Sequence, residues 1–80
     1  MRYTPTDVEI RIAADGVITP LRFTWQGAWL AVGQVGRTWT DGEGDHWLVM
    51  PPHPNAVFEL IRTPEGRWLA ARGDSRPAVA

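Results

Sequence analysis

The sequence contains no cysteine, no lysine and only one serine, Ser75, and none of its apolar runs is long. Without cysteine there is neither a disulfide framework nor the thiolate set of a structural zinc site. With the only serine close to the C-terminus and no thiol, the common nucleophiles of covalent catalysis are missing from the body of the chain. No apolar stretch approaches the roughly 20 residues needed to cross a bilayer. The opening MRYTPTDVEIRI has no basic segment followed by an apolar one, so a secretory signal is not expected. All eight cationic residues are arginine, the formal net charge is −1 and the pI is about 6.0. That balance argues against a generic polyanion binder, whose domain pI usually exceeds about 9. These absences together predict a cytoplasmic protein without membrane association.

What the sequence does have is aromatic bulk and turn residues. Eighty residues make one small domain, and a chain of this size buries only about 60% of its unfolded surface. Five tryptophans, Trp25, Trp29, Trp39, Trp47 and Trp68, can offset that shortage, since each large aromatic buries about 150–250 Å². Apolar residues recur with period two between turn signals, and no helical period is sustained. Val8 to Ile12 alternates apolar and charged residues, and Asp15-Gly16 marks a turn. Leu21, Phe23 and Trp25 fall on one face of a second strand that begins after Pro20. Gln26-Gly27 turns the chain into a third strand from Trp29 to about Trp39, with a bulge expected at Gly33-Gln34. A loop over residues 40–45 precedes a fourth strand, His46 to Met50, and Pro51-Pro52-His53-Pro54 is irregular. Val57 to Arg62 and Arg67 to Ala71 form the last hairpin around Thr63-Pro64-Glu65-Gly66. The expected fold is all-β, a six-stranded antiparallel meander curled into a small barrel or barrel-like roll. It occupies residues 1–72, followed by a frayed tail over residues 73–80.

From Leu21 to Trp68 the pattern resembles a bacterial family of small proteins of unknown function. The matching features are Phe23-x-Trp25-x-Gly27, the apolar Leu30, Val32 and Val35, Trp39, Phe58-Glu59-Leu60-x-Arg62 and Gly66-x-Trp68. Similar domains in that family are also attached to proteins related to Y-family (translesion) DNA polymerases. The resemblance implies a shared all-β fold and a DNA-repair context. Its matched positions are hydrophobics and turns, so it brings no catalytic residue with it.

The segment Asp41-Gly42-Glu43-Gly44-Asp45-His46 sets three carboxylates at alternate positions beside a histidine. Such oxygen ligands suit a hard cation, and His46 would shift preference toward a transition metal. The spacing does not match an EF-hand, whose bidentate glutamate stands at loop position 12. A catalytic zinc would need a loop acid as its third ligand beside His46 and His53, so Asp41, Glu43, Asp45 and His46 are weak metal candidates. The default reading is a solvated glycine turn, with no resident cofactor. Thr40 beside His46 is the nearest hydroxyl to a base, but nothing in the spacing marks a triad. The sequence therefore predicts a protein that is not an enzyme.

The arginines and tryptophans point to binding. Arg11 and Arg22 lie opposite the apolar faces of the first two strands, and Arg62 and Arg67 flank the last turn. Trp25 and Trp68 are in phase with other apolar residues and belong to the core, whereas Trp29, Trp39 and Trp47 are the surplus. Tryptophan and arginine dominate protein–protein hot spots. The expected contact surface is thus Trp29, Trp39 and Trp47 with Arg11, Arg22, Arg62 and Arg67. The leading expectation is a non-enzymatic protein-interaction module, and an unsealed sheet edge would also permit a homodimer. The alternative is a single-stranded nucleic-acid binder that stacks bases on an Arg/Trp face. Arg11, Arg22, Arg62, Arg67 and Arg72 would then have to share one face.

Overall fold

A computed structural model describes residues 3–53 and 56–73. The described residues contain eight strands and no helix. They are β1 (Thr4–Pro5), β2 (Val8–Ile12), β3 (Ile18–Trp25), β4 (Ala28–Ala31), β5 (Gln34–Asp41), β6 (Gly44–Met50), β7 (Phe58–Arg62) and β8 (Trp68–Arg72). All pairing is antiparallel, in a five-stranded sheet of order β1-β8-β7-β6-β5 and a three-stranded sheet of order β2-β3-β4.

The expected all-β class holds, but the barrel does not close and the strands number eight rather than six. Two local features account for the difference. The long third strand is in fact two, β4 and β5, and they belong to different sheets. At Gly33, between them, a Cβ atom would lie 2.8 Å from Pro52 Cδ and 3.0 Å from the Met50 carbonyl oxygen. The chain can switch sheets there only because that residue has no side chain. The bulge expected at this point lies further on, where Gly36 and Arg37 stand opposite Leu48 between the Val35–Val49 and Thr38–Trp47 pairs. The second feature is the extra strand β1, two residues that extend the sheet beyond β8.

A bulge also corrects the second strand. Glu9 pairs with Arg22 and Ile10 with Pro20, so Leu21 has no partner across the pair. Pro20 consequently turns inward and is fully buried, while Leu21 is 45% exposed. Pro20 lies beyond the end of the β3–β4 pairing, which starts at Arg22, so its missing N–H leaves no partner of β4 unsatisfied.

The core lies between the sheets. Phe23 from β3 meets Phe58 from β7 edge to face at 5.2 Å, and Trp25 meets the same ring at 5.0 Å. Trp47, Val49, Ala56, Leu60 and Ala70 complete the buried cluster, with Trp68 packed 5.2 Å from Trp47. Alternation then fixes the other side of the large sheet: with Trp47 and Val49 turned to the core, His46 and Leu48 face away. Likewise Phe58 and Leu60 turn inward, and Glu59 and Ile61 outward. Gly73, placed in the tail by the sequence, donates its N–H to the Val57 carbonyl at 2.7 Å. The rest of that tail, residues 74–80, lies outside the described residues.

Candidate functional site

The acidic segment is mostly strand. Thr40 and Asp41 end β5, Gly42 and Glu43 make the turn, and β6 begins at Gly44. Asp41 Oδ1 accepts the Glu43 backbone N–H at 2.8 Å, which fixes the turn from within. Gly44 has φ +133°, and a Cβ there would fall 2.2 Å from the Arg62 carbonyl oxygen. The hairpin is thus pressed directly onto the end of β7.

This pairing sets Trp39 opposite His46 and Asp41 opposite Gly44, on the face turned from the core. His46 is 2% exposed there. Its Nδ1 lies 2.6 Å from Glu59 Oε2 and its Nε2 lies 2.8 Å from Asp41 Oδ1. Glu59, itself buried, accepts a 3.0 Å hydrogen bond from the Tyr3 hydroxyl on its other oxygen. Ala71, directly opposite Glu59 on β8, presents only a methyl group between that carboxylate and the sheet edge. The Trp39 ring stacks on the imidazole, with centroids 4.7 Å apart and planes within 6° of parallel. The result is a line of polar groups, Tyr3–Glu59–His46–Asp41, that runs from the residue before β1 across β7, β6 and β5, with the Trp39 indole over its imidazole.

Burial pushes the His46 pKa down, but hydrogen bonds to Asp41 and Glu59 outweigh it, and the net shift is upward. Only the imidazolium can donate to both carboxylates at once. The same contact from His46, aided by the Glu43 N–H, lowers the Asp41 pKa. Burial first, then the hydrogen bond to Glu59, raises the Tyr3 pKa to about 12. Asp41, Glu43 and His46 also offer three ligand atoms within 4.8 Å of one another. Asp45 is not among them; it accepts a 2.8 Å hydrogen bond from the Thr40 hydroxyl. His53 lies in an exposed turn.

The predicted contact residues divide between two surfaces. Trp29, 44% exposed on β4, carries the Arg22 guanidinium 4.5 Å above its ring, and Glu9 holds that guanidinium from the other side at 2.6 Å. Arg11 is exposed on β2 of the same sheet. Trp39 is half-buried on the back of the large sheet, with Arg37 5.0 Å from its centroid. Trp47, expected at the surface, is instead 7% exposed in the core, because β6 alternation turns it toward Leu60 and Trp68. Arg62 ends β7 and Arg67 is exposed at the turn before β8. The five arginines named for a nucleic-acid path are thus split between β2–β3 and β7–β8, which belong to different sheets.

No protein-family model, curated protein or solved structure matches the chain. Sequence reasoning missed Glu59, Tyr3 and Arg37. The signal for Glu59 was present: it is the lone acid in the apolar run Val57-Phe58-Glu59-Leu60-Ile61, and a carboxylate on a central strand needs a partner.

Proposed function

We propose that this protein is a non-enzymatic module that binds another protein through its three-stranded sheet. One observation carries the reading. Among the described residues, the exposed large apolar side chains, Ile12 at 62%, Val17 at 56%, Leu21 at 45% and Trp29 at 44%, all come from residues 12–29, on or between the strands of the small sheet. Scattered apolar residues on a surface need no explanation, but four carried by the smaller of two sheets make that sheet the candidate contact element. Trp29 with Arg22 stacked over it joins the two residue types most enriched at hot spots. The resemblance of Leu21 to Trp68 to the polymerase-linked family favours a partner in DNA repair.

A second reading, single-stranded nucleic-acid binding, draws on the same Arg22–Trp29 pair, since arginine over indole makes a base-stacking platform. Glu9, bonded to Arg22, opposes a phosphate there. The deciding experiment compares wild-type protein with a Leu21→Glu/Trp29→Ala variant in affinity capture and in fluorescence titration with an oligonucleotide. The module reading expects captured proteins that the variant loses, and no salt-sensitive quenching by the oligonucleotide. Identical capture by both proteins would overturn it, and saturable quenching that weakens with salt would install the second reading.

A further inference from the structure

Beyond the binding surface, the opposite side of the molecule holds a feature that protein binding through the small sheet does not use. We infer that Asp41, Glu43 and His46 form a binding site for one divalent transition-metal ion of the zinc class, and that Glu59 is its positioning residue. The three ligand atoms converge within 4.8 Å, and one imidazole with two carboxylates is a donor set that zinc, cobalt and manganese accept. His46 reaches this point through Nε2, which faces Asp41.

Two observations outside the three ligands support the inference. The first is the support behind the imidazole. A metal-binding histidine almost always gives its other ring N–H to a carboxylate or carbonyl, which fixes the tautomer and aims the ligand nitrogen. Here Nδ1 lies 2.6 Å from Glu59, a residue only 7% exposed, and the Tyr3 hydroxyl holds that carboxylate in turn. Burial of Glu59 on a central strand is costly unless its charge is used, and orienting His46 uses it. The second is charge. Asp41, Glu43 and Glu59 surround a single imidazole, and among the described residues none of them is bridged by an arginine. A dication at Nε2 takes the position now held by the Nε2 proton, leaves Nδ1–H on Glu59, and neutralises Asp41 and Glu43.

The site also has room and an approach. Asp41 and Glu43 are exposed at the hairpin tip. A groove of about 370 Å³ lined by Tyr3, Glu43, Ile61, Glu65 and Leu69 runs beside them. Coordination positions that the three side chains leave open would therefore face solvent.

The test is calorimetric titration of chelator-stripped protein with zinc chloride, repeated with calcium chloride. Wild type is expected to bind one zinc ion and to show no comparable heat with calcium. The Asp41→Asn/Glu43→Gln variant, altered only at exposed positions, should keep its fold and lose zinc binding. Glu59→Gln touches no ligand atom of the metal, yet should weaken zinc by about 10–100-fold, while Asp45→Asn should leave it unchanged. Chelator-stripped Glu59→Gln is compared with wild type by circular dichroism, so that lost binding is not lost folding. Absence of zinc binding at millimolar metal would overturn the inference. So would equal affinity in folded Glu59→Gln and wild type, which would reduce the site to surface acids that gather ions without a built centre.

Discussion

Glu59 and His46, thirteen residues apart in sequence, meet at 2.6 Å on the side of the five-stranded sheet that faces away from the core. Both sit on central strands, β7 and β6, and both are almost inaccessible to solvent. Either charge alone would be costly in that position, so the stability of each depends on the other.

The first prediction follows from that dependence. His46→Leu leaves Glu59 buried with only the Tyr3 hydroxyl, and Glu59→Leu leaves the imidazole with only Asp41. Removing one member of a buried pair costs about 3–5 kcal/mol, whereas replacing both by apolar groups is often close to neutral. Urea unfolding of the two single variants and the double variant should show the double nearer to wild type than either single. Additive losses would mean that the two side chains act independently.

Alkaline stability should report on Tyr3. Its pKa is raised from 10.0 to about 12 by burial and by the Glu59 hydrogen bond. Between those values the folded chain holds a proton that the unfolded chain has released. The contribution is therefore fully present below pH 10 and lost as pH rises toward 12. Metal-free wild type should lose stability across that window, and Tyr3→Phe should show a shallower slope in the same denaturant titrations.

The two glycines of the β5–β6 turn should respond unequally to alanine. At Gly44 a Cβ would fall 2.2 Å from the Arg62 carbonyl oxygen, in a backbone conformation with φ +133°. Gly44→Ala should lower stability by more than about 2 kcal/mol, since it forces β6 off β7. At Gly42 nothing lies within 4 Å, and Gly42→Ala should stay within about 0.5 kcal/mol of wild type. Thermal melts of both variants check the contrast.

The aromatic residues should separate packing from binding. Phe58 is fully buried between Phe23 and Trp25, so Phe58→Ala should cost about 3–5 kcal/mol. Trp29 is 44% exposed, and Trp29→Ala should cost about 1 kcal/mol or less, with cation–π contact to Arg22 the main loss. Chemical denaturation of each measures the difference.

Most strands could be read in the sequence because alternation between turn residues survives in β2, β6, β7 and β8. What could not be read is where alternation is reset. The bulge at Leu21 exchanges the expected roles of Pro20 and Leu21, and no local propensity announces it. The sheet switch at Gly33 depends on the close approach of Pro52, nineteen residues later. Missing that switch turned two sheets into one rolled meander. For the site, Asp41, Glu43 and His46 stood out as a cluster, but their support could not. Glu59 reaches His46 through strand register from 13 positions away in the chain, and Tyr3 reaches Glu59 from 56 positions away.

Whether binding belongs to the small sheet can be read residue by residue in NMR spectra. Isotope-labelled protein is titrated with a captured partner, while the indole signals of Trp29 and Trp39 are followed as reporters of opposite surfaces. Binding through the small sheet perturbs the Trp29 indole and Ile12, Val17 and Leu21, with Trp39 unmoved. Perturbation centred on Trp39 and the hairpin at residues 41–44, with Trp29 silent, would contradict it.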